Sequence, residues 1–518
     1  MRGRILWVDD EIDLLKPHLL YLQEKGYDVV EINNGQDAVS TLEQDEQFDL
    51  VLLDQIMPGM DGLTTLRMIK DIRPLLPVIL ITKSEEEWLM DEAISEKIAD
   101  YLTKPVNPSQ IFLACKKVLE GEKILDEKAT SDYLKDFQEI ETILSGGMSI
   151  EDWWILHQKL VDWQIEMDKR KDTGLGSVLN EQLKSCNHRF SQFVSENYLD
   201  WLHSDIENRP PISTDVLHKF IVPYLKNRER VFLLVVDCFR LDQVMTILPE
   251  IQRYFNVDID FHLSLLPSAT PFCRNAIFSG KHLGKIQKLY PKMWESMVKD
   301  EFSMNRFESD LLALALQSYG LGNLSVKYQK VSVAKEGRNL LNRITDYLDT
   351  SLMALVVNFL DLLAHYRSES EILQEMMPDE AGYRSIVKSW FVNSWLYEVL
   401  KVLSETDYKV ILTSDHGSIR VQKGVQVAGD KKTSSGVRYK YGKNLNCSDR
   451  SALVIKQPGD YFLPEMVTGT NYLIAKEDVY LVFPTQYRKY IRLFQNSFQH
   501  GGISLDEMLV PTFILSGK

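Results

Sequence analysis

The sequence predicts an α/β multidomain protein in which two regions of alternating strands and helices flank a helical bundle. Three observations carry this expectation. Residues 1–122 alternate short apolar runs with amphipathic helical patterns, which predicts a doubly wound parallel sheet. Residues 123–208 keep a helical periodicity with few strand or turn signals, which predicts a three-helix bundle connector. A second alternating region opens with the continuous apolar run VFLLVVD, 231–237, the pattern of a strand buried on both faces of a parallel sheet. The expected domains are therefore 1–122, 123–208 and 209–518.

At 518 residues the chain exceeds one ordinary core, and three domains agree with a typical size of about 100 to 200 residues. A composition 44% hydrophobic and 26% charged is that of a globular protein, not a disordered or fibrous one. The N-terminal MRGRILWV is too short an apolar run for a signal peptide, and no stretch reaches the roughly 18 apolar residues of a membrane helix. A cytoplasmic protein with no membrane span is expected. The five cysteines, Cys115, Cys186, Cys238, Cys273 and Cys447, form no C-x-x-C pair, which argues against a disulfide framework or thiolate zinc site. Of the net charge of −15, residues 1–122 hold −12, from 24 acidic and 12 basic side chains. Bulk attraction to nucleic-acid phosphates is thereby excluded, and any such binding must be local.

In the first region the strands RILWV, YDVVEI, DLVLLD, PVILIT and DYLTKP each precede a helical pattern, the last helix lying near 108–120. Sites on such sheets form at the C-terminal strand ends. Those ends bring Asp9 and Asp10, Asp54, Thr82 and Lys104 to one edge. Three carboxylates so close repel one another unless a hard divalent cation shares them, and magnesium with oxygen ligands fits. The motifs VDDE (8–11), LLDQIMPGMDG (52–62), ILIT (79–82) and DYLTKP (100–105) resemble the receiver domain of two-component response regulators along the whole segment. The resemblance implies a flavodoxin-like fold with Asp54 as phosphoacceptor and Mg2+ held by Asp9, Asp10, Asp54 and the Ile56 carbonyl. It also implies that Thr82, Tyr101 and Lys104 relay the phosphorylated state, that Pro105 follows a cis bond, and that a sensor histidine kinase is the phosphoryl source. Charge added at Asp54 would bias a two-state surface, so homodimer formation on phosphorylation is expected.

The connector reads as three antiparallel helices broken at Gly146-Gly147 and Gly174–Gly176 and ended by Arg209-Pro210-Pro211. Trp153, Trp154, Trp163 and Trp201 are expected to pack, and His157, His188 and His203 share no ligand spacing.

In the third region, strands or turns are followed by Asp237, Thr270, Asp361, His365, Asp415, His416 and His500, seven oxygen or nitrogen donors from five segments. LMALVVNF reads as a strand, with DLLAH as the loop or helix start after it. Without thiolates, two borderline cations such as Zn2+ are the natural occupants. The motifs VVDCFRLD (235–242), LPSATPFCRNAIFSG (266–280), NFLDLLAHY (358–366), SDHG (414–417) and QHGGISLDEMLVP (499–511) resemble the alkaline phosphatase superfamily, and within it the PglZ family, over roughly 220–518.

That resemblance implies an alkaline-phosphatase-like α/β sandwich. One zinc ion would be held by Asp361, His365 and His500 and a second by Asp237, Asp415 and His416, with Thr270 between them as nucleophile. It implies a zinc-dependent phosphodiesterase or phosphatase that passes through a phosphothreonine. Arg274 or Asn275 would contact the phosphoryl oxygens. The insertion at 419–450 holds eight basic residues, Lys431, Lys432 and Arg438 among them, against two acidic ones. Beside the metal centre this basic flap would hold a nucleotide or short oligonucleotide substrate. The order of receiver, bundle and PglZ-type domain is similar to that of response regulators of type IX secretion, which implies a sigma factor as a further partner. A second reading makes the zinc domain a structural protein-interaction module. Sequence-specific DNA binding is not expected, since no basic helix-turn-helix pattern follows the receiver.

Overall fold

The computed structural model describes residues 3–45, 47–83, 98–144, 146–170, 175–299, 304–429, 434, 436–447, 450–484 and 487–518. The chain forms two compact units, Met1–Phe137 and Gln138–Lys518.

In the first unit, β1 (Arg4–Val8), β2 (Asp28–Ile32), β3 (Leu50–Asp54), β4 (Val78–Thr82) and β5 (Asp100–Thr103) make one parallel sheet ordered β2-β1-β3-β4-β5. Successive side chains of a strand point to opposite faces. Leu6, Val8, Val51, Leu53, Val78 and Leu80 accordingly enter one core. Ile5, Trp7, Leu50, Leu52, Ile79 and Ile81 enter the other. Both faces are apolar, so both need helices, and the sheet is doubly wound. Helix starts are fixed by side-chain caps: Asn34 accepts from the Asp37 amide at 2.8 Å and Asp61 from the Thr64 amide at 2.7 Å. The helix expected after PVILIT falls on 84–97, outside the described residues.

The last receiver helix does not end near residue 120 as expected. It runs from Pro108 to Leu144, 37 residues, and joins what the sequence divides into a receiver helix and a connector helix. Between the two stands a single glycine, Gly121, whose cost of about 1 kcal/mol relative to alanine is too small to end so long a helix.

The second unit starts with the remainder of that helix and two more, Ile150–Asp168 and Leu175–His203, the former opened by a Ser149/Asp152 capping box. The tryptophans pack: Trp153 meets Phe190 edge-on at 5.3 Å, and Trp154 stacks at 4.9 Å on Phe261.

The main sheet of this unit has six strands: β6 (Arg230–Val236), β7 (Phe255–Leu263), β8 (Val326–Val331), β9 (Leu352–Val357), β10 (Tyr408–Thr413) and β18 (Leu509–Gly517). Their order is β7-β18-β10-β6-β9-β8. Only β18 runs antiparallel to its neighbours, closing the sheet between β7 and β10. Phe232, Leu234 and Val236 of β6 enter one core with Met353, Leu355 and Val357. Val231, Leu233 and Val235 enter the opposite one with Ala354 and Val356. Burial on both faces explains the continuous apolar runs.

The described residues of the insertion are built into paired strands. β11 (Ile419–Arg420) pairs with β17 (Phe498–Gln499), and β12 (Lys423–Gln426) with β16 (Val479–Val482). β13 (Tyr439–Lys443), β15 (Thr470–Ala475) and β14 (Ala452–Ile455) form a three-stranded sheet with β15 central. A small apolar core of Val425, Val427, Leu445, Leu473 and Leu481 supports this layer.

Candidate functional sites at two sheet edges

In the receiver, Asp9 and Asp54 are buried and Asp10 is exposed, and each offers an oxygen within 4.8 Å of the other two. Lys104 Nζ lies 2.9 Å from Asp9 Oδ2 and 2.8 Å from Asp54 Oδ1. Burial, helped by the neighbouring Asp9, pushes the Asp54 carboxyl up, while Lys104 opposes the shift. Thr82 is buried at the end of β4, whereas Tyr101 and Ile56 are exposed. The Lys104–Pro105 bond is cis.

The second edge is built from five segments. Asp237 follows β6. Thr270 is the first residue of helix Thr270–Ser279, with Ala269 at the N-cap position and no side-chain cap. Asp361 and His365 lie one turn apart on helix Phe359–Arg367, which starts two residues after β9. A strand and a helical face thus both contribute to their placement. Asp415 and His416 follow β10, and His500 follows β17.

These residues form two donor triads, Asp361/His365/His500 and Asp237/Asp415/His416, each with ligand atoms within 4.8 Å of one another. Thr270 Oγ1 stands 3.0 Å from His416 Nε2 and 3.4 Å from Asp237 Oδ1. His416 Nδ1 lies 3.0 Å from the Gly417 carbonyl, to which it donates, leaving the Nε2 lone pair facing Thr270. In the other triad, Asp361 Oδ1 lies 3.4 Å from His365 Nε2 and 3.3 Å from His500 Nε2, and the two ring nitrogens are 3.4 Å apart. Asp361 Oδ1 and Asp415 Oδ2 are buried without a hydrogen-bond partner. Buried carboxylate oxygens lacking donors, crowded with imidazole nitrogens, fit a divalent cation in each triad, and the nitrogen and oxygen donor set suits zinc.

Electrostatics agree with that fit. Burial pushes Asp237 up to about 6, against the pull of Arg274. Burial and the facing Asp237 push Asp415 up to about 6. Burial drives His416 down to about 4. Burial also disfavours a charged Asp361, yet the two facing imidazoles hold its carboxyl well below the usual range.

Arg274 and Asn275 are both buried and bonded within the chain. Arg274 lies one turn after Thr270 and deeper in the same helix, 2% exposed. Its Nη1 is 2.5 Å from Asp237 Oδ2 and 3.1 Å from Asn358 Oδ1, and its Nε is 2.5 Å from Glu308 Oε1. Asn275 Nδ2 donates to the carbonyls of Pro271 at 2.8 Å and Met304 at 3.0 Å. Arg438, expected on an open flap, is fully buried and grips Glu507 through Nε and Nη2 at 3.1 and 2.5 Å. Lys431 and Lys432 lie outside the described residues.

Residues that sequence reasoning passed over hold the loops. Ser268 Oγ donates to the Gly502 carbonyl at 2.7 Å and accepts from the Gly501 amide at 3.2 Å, tying the Thr270 loop to the His500 loop. Gly501 has φ +116°, and a Cβ there would stand 2.4 Å from the Tyr439 ring. Glu507 accepts from the Gly502 amide at 2.8 Å and from Ser504 Oγ at 2.6 Å. Glu507 belongs to QHGGISLDEMLVP, but nothing in that stretch marks an internal anchor.

The family model of the response regulator receiver domain matches residues 5–116, and that of the PorX response regulator linker domain matches 123–202. The model of the BREX system PglZ alkaline phosphatase-like domain matches 216–515. Among curated proteins, the chain is 28% identical over 152 residues to the alkaline phosphatase synthesis transcriptional regulatory protein PhoP of Bacillus subtilis, covering 29% of this chain and 61% of PhoP. It is 33% identical over 116 residues to ResD of the same organism, covering 22% of this chain and 48% of ResD. The chain therefore spans about half to three fifths of these relatives' lengths. Among solved structures, the response regulator DrrB of Thermotoga maritima is 34% identical with a TM-score of 0.22, covering 24% of this chain and 54% of that one. The chemotaxis protein CheY4 of Vibrio cholerae is 24% identical, also with a TM-score of 0.22, covering 23% and 98%. With more than half of its length matched by one family model, behind a receiver and a PorX-type linker, this chain belongs to the PglZ alkaline phosphatase-like family.

Proposed function

We propose that the protein is a response regulator whose output domain hydrolyses phosphodiesters of nucleotides or short oligonucleotides, with Thr270 as nucleophile and control by phosphorylation of Asp54. The observation that carries the reading is Thr270 Oγ1, 3.0 Å from His416 Nε2, presented at a helix N-terminus beside two triads of metal-type donors. Asp361, His365 and His500 would hold one Zn2+, and Asp237, Asp415 and His416 the other. When bound, such cations activate a hydroxyl and offset charge on the attacking and leaving oxygens.

The remaining work falls to the chain. Thr270 Oγ attacks phosphorus as one ester oxygen leaves and takes up a proton, giving a threonine esterified to the remaining nucleotidyl phosphate, whose bond to Thr270 water then hydrolyses. The positive end of helix Thr270–Ser279 faces the phosphoryl group. Arg274 keeps Asp237 in place from behind. That guanidinium is engaged through Nη1 by Asp237 and Asn358 and through Nε by Glu308. In the receiver, Asp9, Asp10 and Asp54 would share Mg2+, with Thr82 and Lys104 bonding the new phosphoryl oxygens. The domain order supports a place in the control of type IX secretion, with a histidine kinase upstream, a sigma factor as partner and homodimer formation on phosphorylation.

A panel of p-nitrophenyl mono- and diesters and short oligonucleotides, offered to zinc-loaded protein, tests this reading. Thr270→Ala is expected to keep its zinc and lose at least about a hundredfold in diester hydrolysis. Full turnover by that variant removes Thr270 as nucleophile. Zinc binding with no hydrolysis by the wild type favours the interaction module instead.

A further inference from the structure

The third linker helix, Leu175–His203, reaches into both catalytic loops with polar side chains. The buried Tyr198 hydroxyl accepts the Leu266 amide at 2.8 Å, four residues before Thr270. Asn187 Oδ1 accepts the Leu505 amide at 2.9 Å, five residues after His500. The Leu266 amide lies in the loop that leads to Thr270, and the Leu505 amide opens the short helix Leu505–Met508 that follows the His500 loop. A buried amide without a partner costs about 1–3 kcal/mol, so each loop depends on the linker for its path. Asn187 and Tyr198 are eleven residues apart, three helical turns, and so share one face about 16 Å long. The same face therefore spans from the loop of the nucleophile to the loop of His500.

We propose that this linker helix is a positioning element of the metal centre, a rigid spacer that fixes Thr270 relative to His500 through Tyr198 and Asn187. A tether that only joined receiver and output would need apolar packing alone, and Trp154 on Phe261 already supplies it. The polar anchors instead hold backbone just before Thr270 and just after His500. The kinetic part of this inference rests on the hydrolase reading; its structural part does not.

The test uses the full-length chain, zinc-loaded, with hydrogen exchange by mass spectrometry and with kcat and KM for bis-p-nitrophenyl phosphate. Tyr198→Phe removes one hydroxyl, and about tenfold faster exchange over 264–270 is expected, with β6 still protected and kcat about tenfold lower at unchanged KM. Asn187→Ala is expected to do the same over 500–507 and to loosen zinc retention, whereas Asn187→Asp, which keeps the acceptor, restores both. Unchanged protection of both segments in the folded variants overturns the proposal, as does loss of protection spread evenly over the domain. If the wild type hydrolyses no diester, the functional reading fails and the exchange pattern alone decides the positioning role.

Discussion

Asp237 and Asp415 illustrate what burial does to single residues at this centre. Both carboxyls are pushed up to about 6, chiefly by burial. An unfolded chain releases those protons near about pH 4. Between about pH 4 and 6 the folded, metal-free protein therefore holds protons that the unfolded chain lacks, and the stability they confer is lost as pH rises through about 6. His500, raised by Asp361 although burial opposes it, also holds a proton to higher pH. A zinc ion held as proposed would take the place of these protons, so stabilisation by zinc should grow with pH. The melting-temperature difference between zinc-loaded and chelator-treated protein is expected to be several degrees larger at about pH 7.5 than at about pH 5. An equal difference at both values removes these carboxylates from the ligand set.

At the scale of elements, the Arg438–Glu507 pair joins the β13 layer to the loop behind His500. Both side chains are fully buried, and Glu507 also holds the Gly502 amide. Arg438→Ala leaves a buried carboxylate uncompensated and should destabilise the protein by about 3–5 kcal/mol. KM measured near the midpoint of stability should change little, and urea denaturation beside steady-state kinetics separates this from a substrate contact. Sequence could not assign Arg438 this role, because its partner lies 69 residues away and a basic side chain in a Gly- and Ser-containing stretch reads as solvated. The strands β6, β9 and β10 were legible because burial on both faces leaves mostly apolar residues. β8, a half-polar edge strand with the sequence VKYQKV, shows no such run. The triads were legible because each donor follows a strand end, where the chain must turn. The buried setting of Arg274 was not, since helix depth is a tertiary property. The Asp361 and His365 spacing is compatible with a loop or a helix, and the helix prevails because a full turn brings both side chains to His500.

For the whole molecule, the continuous helix Pro108–Leu144 is the physical link between receiver and output. Its first turns pack into the receiver core through Ile111, Ala114 and Cys115. Near its other end the Leu144 carbonyl accepts from Arg189 Nη1 at 2.9 Å, on the helix that also carries Asn187. A continuous helix would carry rotation as well as translation between its ends. Each residue inserted midway turns one end against the other by about 100°, and seven residues return it to within about 20°. If acetyl phosphate acting at Asp54 alters diester hydrolysis through this rod, a seven-residue helical insertion should keep that response and a two-residue insertion should abolish or invert it. A response indifferent to both would mean that the helix serves only as a tether. For such coupling the length of the helix would matter less than its remainder on division by the helical repeat.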